Sequence, residues 1–88
     1  MNEKMEELLQ KIISKAYEVD KNTKHTIFVN FMGHVKWLEV QVHLNGWKEN
    51  QSKDIELTAH LDEKEAISEL QNILDKLEEL EKNVEGGE

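Results

Sequence analysis

The spacing of apolar residues changes twice along this chain, and that change limits the fold more than any other feature of the sequence. Over residues 1–20 the apolar side chains recur every three or four positions, which is typical of one face of a helix. Over residues 25–61 they alternate with polar side chains, as in strands with one buried face. Over residues 62–85 the helical spacing returns. The sequence therefore predicts the order helix, strand, strand, strand, helix.

Two layers are the simplest packing for these elements. The predicted strands cover residues 27–31, 38–44 and 55–61, and each has a single apolar face. Both helices also have one apolar stripe. The prediction is an α+β domain in which both helices pack on one face of a three-stranded antiparallel sheet. The expected core residues come from all five elements and are Leu8, Ile12, Val29, Val40, Leu57, Leu70 and Leu77.

The turn between the first two strands is predicted at Gly33 and His34. A two-residue turn with glycine first is typical of a type II′ hairpin. The register that follows pairs Met32 with Val35, Asn30 with Trp37, and Val29 with Leu38. It places odd residues of the first strand and even residues of the second on one face. This agrees with the apolar pattern and supports the hairpin.

The second helix is predicted to begin at Asp62, because Asp62 followed by Glu65 has the spacing of a capping box. A chain of 88 residues holds one domain. We expect it over residues 1–85, with residues 86–88 as a disordered tail. The first residues lack a long apolar run, and no stretch is long enough to cross a bilayer. The sequence predicts a cytoplasmic protein, either a monomer or a homodimer.

The net charge of −8 is concentrated in the last third of the chain. Residues 62–88 hold ten acidic residues against three lysines, whereas residues 21–61 are close to neutral. All 11 basic residues are lysines. The chain therefore lacks arginine, the side chain that reads guanine edges and clamps phosphates. These features argue against direct binding to nucleic acid.

Two interpretations of the acidic second helix stay open. In the first, its carboxylates form a solvated face that keeps a small protein soluble. In the second, they bind a basic groove on another protein, such as a groove that normally holds nucleic acid. The candidate partner-binding carboxylates are Asp62, Glu63, Glu65, Glu69, Asp75 and Glu79. Those expected on the solvent side are Glu63, Glu65, Glu69 and Glu79.

A second candidate surface lies on the sheet face away from the helices. The predicted register gathers apolar side chains there, where antiparallel sheets normally show polar residues to water. This hairpin patch consists of Phe28, Met32, Val35 and Trp37, with Trp47 near its other end. Either it contacts a partner or a second copy, or Trp37 turns inward at a bulge, or the loop that contains Trp47 covers it.

Metal binding and catalysis are not predicted. His25, His34 and His43 are nine residues apart, but the hairpin places His34 at the turn and the other two at the opposite end. His60 lies on another strand, so we expect four surface histidines and no metal site. The chain has no cysteine, no glycine elbow around a serine and no glycine-rich phosphate loop. We expect neither a cofactor nor an enzyme.

The predicted element order resembles that of double-stranded RNA-binding domains. Those domains place lysines at the start of the second helix to hold phosphates. Here the same position, residues 62–66, reads Asp-Glu-Lys-Glu-Ala, which has the opposite charge. The resemblance implies a similar topology without the RNA-binding chemistry.

Residues 27–35, 37–42 and 46–47 also resemble small proteins encoded by phages and prophages of low-GC Gram-positive bacteria. Some acidic members of that group are anti-CRISPR proteins. One that blocks a type II CRISPR nuclease has a similar element order and uses acidic residues to fill a DNA-reading groove. The resemblance implies a phage-type inhibitor that acts as an acidic decoy on a host defence protein. The alternative is a structural or assembly module that dimerises or docks through the hairpin patch.

Overall fold

The computed structural model describes residues 3–47 and 53–86. Its elements are α1 (Glu3–Asn22), β1 (Thr26–Met32), β2 (Trp37–His43), β3 (Ile55–His60) and α2 (Ala66–Gly86). The strands form one antiparallel sheet in the order β1-β2-β3, and both helices pack against it. The predicted α+β class and element order are confirmed. Of the predicted tail, Gly86 belongs to α2, and residues 87 and 88 lie outside the described residues.

The predicted two-residue turn is wrong. The β1–β2 loop has four residues, 33–36, and Met32 pairs with Trp37. Gly33 does not take the positive φ that begins a type II′ turn, whereas Lys36 does take one, at 57°. The register therefore moves by two residues. Because side chains alternate with a period of two, each strand keeps its predicted face.

The two helices lie side by side and run in the same direction. Three antiparallel strands separate them in the chain, and α1 packs on β1 while α2 packs on β3. Lys15 Nζ of α1 lies 3.0 Å from Glu81 Oε1 of α2. This hydrogen bond raises the pKa of Lys15 and lowers the pKa of Glu81. Asn22 Nδ2 also donates to Glu81 Oε2, at 3.3 Å.

The core lies between the helices and the central strand. Leu38, Val40 and Val42 of β2 are buried, as are four side chains of α1. Val29 and Leu57, which were also predicted as core residues, are partly buried and pack against this core. Both residues lie on edge strands, where no further strand covers their outer side. The other five predicted core residues are buried.

The start of α2 also differs from the prediction. Residues 61–65 form turns, and the helix begins at Ala66, four residues after Asp62. The N–H of Glu63 donates to the His60 carbonyl, and the N–H of Ala66 donates to the Glu63 carbonyl. These turn hydrogen bonds replace the predicted capping box. The first three candidate carboxylates therefore precede the helix.

Candidate functional site

Five of the six candidate carboxylates are exposed, and together they define what we call the acidic surface. Asp62, Glu63 and Glu65 lie on the turn between β3 and α2. Asp75 and Glu79 lie one helical turn apart on α2. Gln71 Nε2 donates to Asp75 Oδ1 at 3.0 Å, and Lys76 Nζ lies 2.9 Å from Glu79 Oε1. The other three have no hydrogen bond or ion pair through their carboxylates to any described residue.

Glu69 does not belong to this surface, and its expected solvent-facing position is wrong. Its side chain is 30% exposed and turns back to the sheet. Glu69 Oε1 accepts a hydrogen bond from the backbone N–H of His60 at 2.8 Å, and His60 Nδ1 lies 3.3 Å from the same oxygen. Glu69 thus supplies the acceptor for the last backbone N–H of β3. Its role in the structure is to hold α2 to β3.

Replacing Glu69 with alanine is expected to lower the free energy of unfolding by about 1–2 kcal/mol, because the His60 N–H loses a carboxylate acceptor in a part-buried position. Urea denaturation followed by circular dichroism measures the change. Glu79→Ala is the matched control, with an expected change within about 0.5 kcal/mol, because its ion pair is exposed. Equal losses in the two variants would contradict the assigned role of Glu69.

The hairpin patch is divided rather than continuous. Met32 and Trp37 pair directly near the β1–β2 loop, and Trp37 packs edge-on against the His60 ring at 4.9 Å. Phe28 pairs with Gln41 instead and packs edge-on against the His43 ring at 5.2 Å. A polar row crosses the sheet between the two parts and consists of Asn30, Glu39 and Thr58. The structure brings together Met32 and Trp37 and separates Phe28 from them.

The two remaining residues of the predicted patch lie outside the strands. Val35 is exposed in the β1–β2 loop, and Trp47 is exposed beyond β2. The N–H of Trp47 donates to Thr26 Oγ1 at 3.2 Å, which places Trp47 beside the start of β1. Trp37 is 39% exposed and stays in the β2 ladder, so it does not turn inward at a bulge. The rest of the loop that was considered as a cover, residues 48–52, lies outside the described residues.

Two glutamates occupy the centre of this open face. Gln41 Nε2 donates to Glu39 Oε1 at 2.9 Å. A hydrogen bond between the carboxyl groups of Glu39 and Glu56 lowers the pKa of Glu39 and raises the pKa of Glu56. Lys53 Nζ lies 3.8 Å from Glu56 Oε2. A hydrogen bond between two carboxyl groups holds one proton between them, and the middle of the face stays polar.

An apolar groove that the sequence did not predict lies at the side of the molecule. It has a volume of about 510 Å³ and is lined by Met5, Leu9, Ile13, Phe31, Lys36, Leu38, Leu61 and Asp62. Ile13 is 57% exposed and Phe31 is 60% exposed. Sequence reasoning assigned both to apolar faces that it expected to be covered. The missed signal is the width of the apolar stripe of α1. This stripe covers more of the helix circumference than a single packing face can bury.

The histidines do not converge. His25 Nδ1 accepts a hydrogen bond from the N–H of Asn45, and His60 contacts Glu69. His43 is 5% exposed, so the expectation of four surface histidines is wrong for this residue. Across residues 3–47 and 53–86 no three His, Asp or Glu side chains are grouped as metal ligands. Within the same residues no helix is long and apolar enough to cross a membrane.

Comparison with protein-family models, curated proteins and solved structures finds no match for this chain. Arguments about its function therefore depend on the surfaces described above.

Proposed function

We propose that this protein is a non-enzymatic inhibitor that acts in the cytoplasm of a host cell by binding the basic groove of a nucleic-acid-binding protein. The acidic surface makes the contact. The observation that carries this proposal is the exposure of its five carboxylates, while the rival hairpin patch is divided by polar residues. The charge supports the same choice, because residues 62–88 hold most of the net charge of −8.

The dimensions of the acidic surface suit a groove that holds nucleic acid. From Glu65 to Glu79 is fourteen residues of chain, or about 21 Å at the rise of a helix. That length corresponds to about six phosphate steps along one DNA strand. Carboxylates over this length replace phosphates opposite lysine and arginine side chains. Their charge attracts a basic partner over long range and raises the association rate.

The likeness to phage-type inhibitors directs the choice of partner. A guide-loaded type II CRISPR nuclease has a basic groove that reads a short DNA duplex. We propose that the acidic surface competes with the duplex for such a groove. The alternative function is docking of a partner through the hairpin patch, and the direct pairing of Met32 with Trp37 favours it.

A competition experiment tests both the proposed decoy and the alternative docking function. A fluorescent target duplex is bound to the guide-loaded nuclease, and the protein is titrated in at increasing salt. At about 50 mM salt we expect the protein to displace the duplex. In a separate titration without DNA, the affinity of the protein for the nuclease at about 200 mM salt should be at least about tenfold lower than at about 50 mM. Trp37→Ala should leave displacement unchanged. Failure to displace the duplex would contradict the proposed decoy, and loss of binding in Trp37→Ala would favour the hairpin patch.

A further inference from the structure

One side wall of the molecule combines exposed apolar side chains with an open strand edge. Among the large apolar side chains of the described residues, Tyr17 (68%), Phe31 (60%) and Ile13 (57%) have the highest exposed fractions. Lys15 and Asn22 mark the side of α1 that faces α2, since both bond Glu81. At 100° per residue, Ile13 and Tyr17 lie on the other side. We call this surface the α1–β1 wall.

Among residues 3–47 and 53–86, the one hydrogen bond to the outer backbone edge of this strand is made by Asp20 near its start. Strand β1 contains no charged residue and no proline, and it pairs with β2 without a bulge. Asp20 Oδ2 accepts a hydrogen bond from the N–H of Ile27 at 2.9 Å, so the odd residues of β1 direct their backbone groups outward. Within the described part of the chain, the N–H groups of Val29 and Phe31 have no acceptor. Natural sheets rarely leave such an edge uncovered.

Charge indicates which occupant fits this wall. Residues 1–32, which include α1 and β1, hold five acidic and five basic residues, whereas residues 62–88 carry most of the negative charge and include α2, which packs on β3 at the opposite edge. Two copies therefore repel each other through α2 and meet with the least repulsion through the α1–β1 wall. An antiparallel edge is also complementary to itself under two-fold symmetry. We propose that β1 pairs with β1 of a second copy to form a six-stranded sheet.

The outward N–H groups fix the register of this pairing. Val29 pairs with Phe31 of the second copy and Phe31 pairs with Val29 of the second copy, which makes four N–H···O bonds. The two-fold axis then passes beside Asn30. Asp20 of α1 lies over Ile27. From Ile27 to Asn30 is about 10 Å along the strand, and the same distance along α1 is about seven residues, counted back from Asp20. This places Ile13 beside the axis.

The helices add an apolar contact to the paired strands. With Ile13 at the axis, α1 packs antiparallel on α1 of the second copy, and Tyr17 lies near Leu9 of that copy. The wall is about 30 Å long and about 20 Å high, given a 20-residue helix over one strand layer. This corresponds to about 600 Å² per copy, the lower end of specific interfaces. The dimer leaves α2, with Asp75 and Glu79, on the far side of each copy from the interface. The inference does not depend on the proposed function.

Sedimentation equilibrium tests the dimer directly. We expect a mass of twice 10.3 kDa for the parent protein. Phe31→Lys and Ile13→Lys each place two like charges beside the axis, and each is expected to weaken the dimer by about tenfold or more. Trp37→Lys is the matched control, because it adds the same charge at an exposed aromatic residue on the open face. Its mass should equal that of the parent.

Amide hydrogen exchange separates edge pairing from any other dimer. In the parent, the amides of Val29 and Phe31 should exchange slowly, and in the Ile13→Lys monomer they should exchange fast while the buried β2 amides stay protected. Protected β2 amides also show that the variant is folded. A monomeric parent, a dimer with fast exchange at Val29 and Phe31, or dissociation by Trp37→Lys alone would each overturn the proposal.

Discussion

Replacing Leu70 with alanine is expected to lower the free energy of unfolding by about 2–5 kcal/mol. Leu70 is fully buried in the first half of α2, where it belongs to the core shared by both helices and β2. The substitution removes apolar contacts and leaves a cavity that a small, close-packed core fills only in part. The free energy of unfolding of a domain of this size is about 5–10 kcal/mol, so the expected loss is a large fraction of it. Urea denaturation at 25 °C measures it.

Leu44→Ala is the control for this prediction. It makes the same chemical change at an exposed leucine in the turn that directly follows β2. Its effect should stay within about 0.5 kcal/mol. If Leu70→Ala unfolded at the same urea concentration as the parent, α2 would not be packed on the sheet as the structure has it.

Reversing three charges of the acidic surface is expected to have the largest effect on function. The variant combines Glu63→Lys, Glu65→Lys and Glu79→Lys and leaves Glu69 in place, because Glu69 holds α2 to β3. All three side chains are exposed, so the fold should be kept. Association with the guide-loaded nuclease should slow by about tenfold or more at about 50 mM salt. Stopped-flow fluorescence measures the rate.

The matched control reverses three exposed glutamates on α1, with Glu3→Lys, Glu7→Lys and Glu18→Lys. Both variants change the net charge from −8 to −2, so they differ only in where the charge lies. The α1 variant should keep most of the association rate and of its salt dependence. Equal slowing in both variants would mean that net charge, and not the acidic surface, steers the encounter.

Periodicity predicted the elements and their buried faces because the spacing of apolar residues reflects burial. A shift of register by two residues, as between the predicted and observed hairpin, leaves the same side chains on the buried face. It did not predict the β1–β2 loop. The sequence Gly33-His34 suits a two-residue turn, but the pairing of Met32 with Trp37 requires four loop residues and a left-handed Lys36. Local turn preference was overridden by the alignment of two whole strands.

The sequence predicted that acidic residues would form a surface in this part of the chain, but it did not predict the contacts of each carboxylate. Counting charges located it on α2 and the residues just before that helix, and five of the six candidate carboxylates are exposed there. Glu69 is the exception, because its environment depends on the position of His60 in the neighbouring strand. A helical pattern contains no information about which polar group a strand edge offers. The exposed Phe31 was missed for a similar reason, since alternation identifies a face without showing how much of it the helices cover.

The order of the elements has a consequence for shortened chains. Residues of α2 complete the core around β2, and they lie after the whole sheet in the chain. A chain that lacks α2 would still contain α1 and all three strands, but the apolar side chains of β2 that α2 helps to bury would face water. We therefore expect a chain cut after His60 to aggregate rather than fold, because it exposes apolar surface and unpaired strand edges.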